Sequence, residues 1–333
     1  MATHRRQPRT LEPEAPSLMR AAIVERYGPP EVVRLAEVPR PQPAADEVLV
    51  RVRATAVTAG DARLRAARFP AGFAPIVRMV FGITRPRRRI LGSSFAGLVE
   101  AAGTGAAGVS RGQAVCAMTG TKLGTHAEFV VVPSHRLVPV PHGVSLDDAA
   151  GVLFGGTAAL YFLRDKASVS SGSTVLVNGA SGAVGSNAVQ LAKRFGATVT
   201  AVTSHANTDL VAQLGADHLV DYTRVDLAAI DERFDVVLDC VGNLTIAGGR
   251  RLLAEGGVLL LPAASLWDNL RARRDVVAGS APERVADIEF LLDLVARGDL
   301  TVVHDATFDL DHLVDAYRRV DSGHKRGNVI VHP

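Results

Sequence analysis

A buried strand runs into a glycine-punctuated turn and then into a helix over Val175-Leu176-Val177-Asn178-Gly179-Ala180-Ser181-Gly182-Ala183-Val184-Gly185. Few folds accommodate that order. Glycine at 179 admits a tight turn, glycine at 182 lets backbone N–H groups approach a pyrophosphate, and glycine at 185 lets helix and strand pack closely. The start of the helix adds a partial positive charge where phosphates would lie. A bare glycine triplet is weak evidence, but here it stands between strand and helix, the context a dinucleotide site requires. The alternative is a purely structural turn. On the dinucleotide reading Gly179, Ala180, Ser181, Gly182, Ala183, Val184 and Gly185 are expected to hold the cofactor. A serine nucleophile elbow is excluded, because it needs G-x-S-x-G and position 183 is alanine.

The surroundings of the turn support an α/β domain. From about residue 145, apolar runs at Thr174–Val177, Thr198–Val202, His218–Val220, Asp235–Asp239 and Val258–Leu261 alternate with helical patterns such as Ala183–Phe195 and Asp209–Leu214. Strands alternating with helices argue for a doubly wound parallel sheet covered on both faces. Before that, Met19 to about Pro141 reads as short strands, Val48–Ala54 and Ala127–Val132 among them, separated by Pro and Gly. A helix near Pro282–Arg297 leads into a last β–α–β piece ending at Asn328–Val331, too short for a domain of its own. The expected organisation is a Rossmann domain, residues 146–298, inserted in a β-rich domain formed by residues 19–145 and 299–333. The 333 residues suit two such domains.

One stretch of the first part breaks its pattern. Ile76, Val77, Val80 and Phe81 are spaced to line one face of a short helix. Arg85, Arg87, Arg88 and Arg89 follow, as a solvated face, a lid over a pocket or an anionic contact. Composition removes several other classes. A net charge of +3 is too small for a dedicated nucleic-acid binder. No run of about 20 apolar residues reads as a membrane span. Two cysteines, Cys116 and Cys240, cannot build a disulfide framework or a four-cysteine zinc lobe. They fit a reducing, cytoplasmic setting and read as buried small residues. Residues 1–18 lack an apolar h-region and are expected to be a disordered tail, or an over-long start upstream of Met19, with a transit peptide as the weaker alternative.

The second strand of the α/β part ends at Thr203, about 18 residues after Gly185. An NAD site usually places Asp or Glu there to accept the ribose hydroxyls. This chain offers Thr203-Ser204-His205-Ala206-Asn207, where Ser204, His205 and Asn207 could donate to a 2′-phosphate. NADPH is therefore the expected cofactor, with NADH also admitted; ordinary loop polarity and helix capping are the other account of these three side chains.

Taken together, MRAAIVERYGPPEVVRL, ILGSSFAGLVEAAG, VLVNGASGAVGSNAVQLAKRFGA, LGADHLVDYT, FDVVLDCVGN and GHKRGNVIV resemble the medium-chain dehydrogenase/reductase superfamily, in its zinc-free quinone oxidoreductase branch. The resemblance runs from Met19 to Val331. It implies a GroES-like catalytic domain, a Rossmann domain, a substrate cleft between them and a homodimer, with Val258–Leu261 a candidate pairing edge. By motif, the catalytic zinc ligands of related alcohol dehydrogenases fall on Thr58, Ser93 and Leu153. Two hydroxyls and a hydrocarbon are no substitute for thiolate and imidazole, so no metal site is expected.

Without a metal nothing lowers the pKa of an alcohol, whereas hydride transfer to a conjugated carbonyl needs only hydrogen bonds and a proton. The resemblance thus implies NADPH-dependent reduction of a small-molecule quinone or α,β-unsaturated carbonyl. Thr58 becomes the polar residue near the nicotinamide, Thr157 lies beside its ring, and Gly242 and Asn243 pass near the cofactor. Tyr222 stacks towards the adenosine phosphate end. His126 is either a proton donor to the developing oxyanion or a packed ring replacing an aromatic residue. Asp61 and Arg63 are equally open to salt-bridge roles. The closing motif has Asn328 where relatives often carry lysine. Two other readings remain: an enoyl-thioester reductase, whose coenzyme A phosphates would meet Arg65, Arg68 and the Arg85–Arg89 cluster, and a low-turnover NADP(H)-binding sensor or partner module.

Overall fold

The structure is a computed structural model that describes residues 17–333 apart from Pro70, and the backbone alone of Ile76. The tail expected over residues 1–18 lies outside the described residues up to residue 16, and Leu18 already opens a strand, Leu18–Val24, paired with Val33–Pro39.

Apolar runs buried on both faces form a six-stranded sheet. In spatial order its strands are His218–Asp221, Thr198–Thr203, Thr174–Asn178, Phe234–Asp239, Leu253–Leu261 and Val276–Ala278. Every pairing is parallel. Counted along the chain the order is 3-2-1-4-5-6, which reverses at Thr174–Asn178 and opens a crevice at the carboxyl ends of that strand and of Phe234–Asp239. Leu176, Val177, Val237, Leu238, Leu259 and Leu260 are fully buried. Coverage on both faces explains why these segments read as continuous runs, not as alternating patterns. One expectation fails here. Val258–Leu261 is no sheet edge, because Leu253–Leu261 is flanked by Val276–Ala278. The true edge strand has only three residues and follows an arginine-rich turn, so it carries no pattern of its own.

The second sheet runs His304–Asp309, Asn328–His332, Glu47–Val57, Ser94–Ala102, Ala114–Met118 and Val138–Pro139, with Phe129–Pro133 also pairing Glu47–Val57. Asn328–His332 thus returns the end of the chain to the first part, antiparallel to Glu47–Val57. The arginine-flanked segment folds as a helix, Ala74–Phe81.

The helix Leu146–Leu160 lies between the sheets and packs on the helix Ala183–Arg194 that follows the glycine turn. Continued by a π-helical segment to Lys166, it is long and apolar enough to cross a membrane, but 67% of its apolar window is buried inside the protein. The packing of the two helices is set by Gly155: a Cβ there would stand 2.1 Å from the Ala183 carbonyl oxygen. Helix propensity favours alanine over glycine by about 1 kcal/mol, but a backbone overlap cannot be relieved by a rotamer. Gly155→Ala is therefore expected to destabilise the protein by about 1–3 kcal/mol, read as a melting temperature lower by several degrees in a calorimetric scan. An unchanged or raised melting temperature would refute the close approach.

Candidate active site

The glycine turn has the geometry its sequence requires. Gly179 takes φ +79°, and a Cβ on Gly185 would lie 2.1 Å from the Gly179 carbonyl oxygen. The helix Ala183–Arg194 starts from Gly182 with no side-chain cap, so its first N–H groups are left for an anion. A pyrophosphate fits this place. Ser181 sits at the centre of a small polar network: Thr203 Oγ1 lies 3.1 Å from its hydroxyl, and Asn207 Nδ2 donates to it at 3.2 Å. Asn207 Nδ2 also lies 3.2 Å from Ser204 Oγ. Ser204 and Asn207 therefore stand beside the turn, while His205 and Tyr222 are exposed at its outer end. The Tyr222 backbone N–H donates to Thr203 O at 3.1 Å.

Gly242 and Asn243 are held by a residue the sequence reading passed over. Asp239, fully buried, accepts from the backbone N–H groups of Val241 (3.0 Å), Gly242 (3.0 Å) and Leu244 (2.9 Å) and from Asn178 Nδ2 (2.9 Å). Asn178 Nδ2 also donates to Asn243 Oδ1 at 2.7 Å. The loop is thereby fixed at the crevice between the strand ends.

Two further residues stand out near the turn. Asp221 closes the strand His218–Asp221, with His205 Nδ1 4.0 Å and Arg224 Nε 3.6 Å from its Oδ2. Hydrogen bonds from Thr223 hold its carboxyl below the usual range. A carboxylate absent from the second strand thus appears at the end of the third, where the spacing rule does not look. Lys325 lies in the C-terminal loop that touches the turn: Gly327 N–H donates to Ser181 O at 2.8 Å, and Lys325 Nζ donates to Gly327 O at 2.5 Å. Burial pulls its ammonium down to about 8. Asn328 is spent on the Val303 carbonyl (3.0 Å), and Arg326 is exposed beside Asp305.

A cavity of about 460 Å³ opens beside the turn helix. Thr58, Ser93 and Met118 line it from one side, and Thr157, Phe154 and Val184 from the other. Thr157 is turned inward on its helix, its hydroxyl donating to Leu153 O at 2.6 Å. Thr58 caps the helix Ala59–Ala66. Its Oγ1 donates to Asp61 Oδ2 (2.6 Å) and accepts from Asp61 N–H (3.2 Å), while Asp61 Oδ1 accepts from Gly92 N–H (3.2 Å). Asp61 therefore positions Thr58, and the only hydroxyl proton of Thr58 is committed to it. Thr58 and Ser93 face the cavity, but Leu153 is fully buried, and among the described residues no three His, Cys, Asp or Glu side chains converge.

His126 is not brought to the cavity. It is 1% exposed, packed edge-on to Tyr317 with ring centroids 5.8 Å apart. Its Nδ1 accepts from Tyr317 Oη at 3.2 Å, leaving Nε2 a long 3.5 Å contact to Ala56 O. A Cβ on Gly92 would lie 2.5 Å from the ring, so His126 backs the Gly92–Asp61–Thr58 arrangement from behind. Burial lowers its pKa and keeps it neutral. As a packed ring it cannot hand a proton to substrate. Arg65 is likewise removed from any substrate channel: it is buried, pairing with Asp321 at 2.5 Å and stacking on Tyr317. Cys116 is pushed up to about 12 by burial, and Cys240 is raised for the same reason.

Glu283 is the cavity's other carboxyl, and sequence offered no sign of it beyond its place ahead of a helix. Among the described residues it makes no hydrogen bond and its one charged neighbour within reach is Arg136 at 3.6 Å, and burial raises its pKa.

Comparison with known proteins is consistent with this architecture. Residues 44–142 match the alcohol dehydrogenase GroES-like domain and residues 214–331 the zinc-binding dehydrogenase family. A 2-methylene-furan-3-one reductase of Solanum lycopersicum is 31% identical, across 96% of this chain and 80% of its own. A quinone oxidoreductase of Pseudomonas aeruginosa is 28% identical across 92% and 97%. The solved quinone oxidoreductase of Coxiella burnetii superposes with a TM-score of 0.86 at 26% identity, over 95% of this chain and 100% of its own.

The buried histidine generates a prediction about stability. Because its folded pKa lies below the unfolded value of about 6.5, the unfolded chain takes up the proton first as pH falls. The stabilisation is complete above that value and is lost below it. Urea unfolding at about pH 7.5 and about pH 5 should show a decline in the native protein that is smaller in His126→Phe. The variant itself should be about 1–3 kcal/mol less stable at neutral pH, since it strands the Tyr317 hydroxyl. An identical pH slope in both proteins would contradict this account.

Proposed function

The chain belongs to the quinone oxidoreductase branch of the medium-chain dehydrogenase/reductase superfamily and is an oxidoreductase; from that premise we propose that it reduces quinones or α,β-unsaturated carbonyls with NADPH. One observation carries the reading. Val184, in the first turn of the glycine-turn helix, lines the same apolar cavity as Thr58, Ser93 and Thr157, so cofactor and acceptor can meet there. Two hydroxyls and a leucine at the metal positions favour an acceptor that is electrophilic without a Lewis acid.

The nicotinamide cofactor, when bound, supplies hydride from C4. The protein's part is to orient and to exclude water. Gly182, Ala183, Val184 and Gly185 would receive the pyrophosphate on backbone N–H groups, assisted by the Lys325 ammonium. Ser181, Ser204, His205 and Asn207 would meet the adenosine end, with Tyr222 stacking beside it, and Gly242 and Asn243 would border the cofactor from the loop that Asp239 holds. Asp221 works against a 2′-phosphate, but it is paired with Arg224 and His205, and the neutral donors Ser204 and Asn207 support a mild preference for NADPH over NADH. Phe69, Phe81 and Phe154 keep the cavity dry. Thr58 can accept from an acceptor group but has no free proton to give.

The proton comes, on this reading, from Glu283. An acceptor reduced in this cavity would develop negative charge on its oxygen, and the Glu283 carboxyl would give its proton there. The resulting carboxylate then faces Arg136 and is reprotonated from water at the cavity mouth. The other charged groups nearby are engaged or turned away: Asp61 with Thr58 and Gly92, Lys122 with Glu47, and Arg284 with Asp165 and Asp287, while Arg63 is exposed at the mouth. Val276–Ala278, at the end of the six-stranded sheet, supports a homodimer, the unpaired cysteines a cytoplasmic setting, and the return of Asn328–His332 the division into residues 19–145 with 299–333 and 146–298.

The decisive experiment follows NADPH and NADH oxidation against soluble quinones and enones. Turnover with either acceptor class, somewhat better with NADPH, is expected; no turnover with any acceptor despite cofactor binding would remove the reading in favour of a binding module. A general acid must be protonated to act, so kcat should fall as pH rises through the raised Glu283 value. Glu283→Gln should lower kcat on the order of 100-fold and flatten that limb, with KM for NADPH unchanged. A parallel pH profile in the variant would exclude Glu283 as the donor.

A further inference from the structure

The helix Ala74–Phe81 has two different apolar faces. Val77 and Phe81 line the cavity, while Met79 and Val80 point away from it and are 64% and 50% exposed; Ile83, just beyond, is 66% exposed. Across the rim the helix Leu266–Arg271 exposes Trp267 and Leu270, and its Leu266 N–H donates to Ala71 O at 2.9 Å. Among the described residues, five of the ten exposed large hydrophobic side chains thus lie on these two short, neighbouring segments. Such clustering at one place marks an interaction surface more than scattered exposure does.

Positive charge dominates beside these residues. The sequence holds no Asp or Glu from Ala62 to Val99. Among the described residues, Arg78, Arg85, Arg87 and Arg88 are exposed and are not among the arginines paired with an acidic group within 4.0 Å. Arg89 reaches Glu25 at 3.6 Å, and Asp268 is occupied in capping its own helix. The arginines are held in place. Tyr27 Oη donates to Gly82 O and Arg87 N–H to Phe81 O, both at 2.7 Å. Gly82 takes φ +123°, and a Cβ there would stand 1.9 Å from the Arg85 carbonyl oxygen.

We propose that this rim docks the protein peripherally on an anionic lipid bilayer. Met79, Val80, Ile83, Trp267 and Leu270 enter the boundary between headgroups and acyl chains, and the four arginines meet lipid phosphates. A two-fold contact centred on the helix Ala74–Phe81 would set the arginine cluster against itself, and pairing at the edge Val276–Ala278 does not require that contact. Val77 and Phe81 lie on the cavity side of the same helix, so docking brings the mouth of the cavity to the lipid. The consequence, that an apolar acceptor passes from bilayer to cavity, rests on the activity proposed above; docking itself does not.

Co-sedimentation of the full chain with vesicles of phosphatidylcholine alone, or mixed equally with phosphatidylglycerol, tests the proposal. Binding to the mixed vesicles only, weakening as salt is added, is expected. The sole tryptophan of the chain, Trp267, should shift its emission to the blue on the mixed vesicles. Arg87→Glu/Arg88→Glu and Met79→Ser/Ile83→Ser should each reduce vesicle binding by about tenfold or more, with thermal melting unchanged as the check on folding. Absent binding, equal binding to neutral vesicles, or well-folded variants that bind like the native protein would each overturn it. A Trp267 shift that follows protein concentration and not lipid would assign the face to a second copy and overturn it as well.

Discussion

Backbones that meet with no side chain between them set the cofactor end of this protein. A Cβ at Gly185 would strike the Gly179 carbonyl, one at Gly155 the Ala183 carbonyl, and one at Gly327 the Val303 carbonyl, at 2.1, 2.1 and 2.0 Å. The glycine turn, the helix Leu146–Leu160 and the C-terminal loop therefore converge on the start of a single helix. That convergence brings Thr157 and Val184 to one cavity and sets Gly327 beside Gly182, although the sequence separates these residues. It also ties the end of the chain to the cofactor turn, through Gly327 N–H and Ser181 O.

Two buried aspartates organise what the glycines bring together. Asp61 fixes Thr58 and Gly92, and Asp239 fixes the Val241–Leu244 loop, each carboxylate filling its acceptor sites with backbone N–H groups or neutral donors. Groups engaged in this way rigidify their surroundings. The division of labour in the cavity follows. A carboxyl held by several donors serves as scaffold, whereas Glu283, with Arg136 its one charged neighbour and no hydrogen bond among the described residues, is free to exchange a proton.

The sheet and the turn were legible because their signals are local. Continuous apolar runs follow from burial on both faces, and the glycine spacing follows from close approach. Most of the predicted cofactor residues lie within a few positions of a strand end, so their placement followed from the strands. What escaped depends on contacts distant in sequence. His126 meets Tyr317 across 191 positions, and that contact decides between the two roles the sequence left open, proton donor and packed ring. Asp221 was missed because the spacing rule inspects the second strand and the carboxylate stands on the third. Val276–Ala278 was missed because three residues carry no periodicity, and Val258–Leu261 was taken for the edge in consequence.

The residues at the former metal positions and the free carboxyl bear on a single point. A metal-bound alcohol is deprotonated before hydride leaves it, and Thr58, with its proton already given to Asp61, offers no comparable route. Burial raises the Glu283 pKa, so this carboxyl holds its proton to higher pH than an ordinary glutamate, and that favours the opposite direction. An acceptor that is already conjugated needs only this proton and a dry, apolar wall. Such acceptors are themselves apolar, and their scarcity in water makes the side of the cavity that meets Met79, Ile83 and the unpaired arginines a matter of substrate supply as well as of surface chemistry.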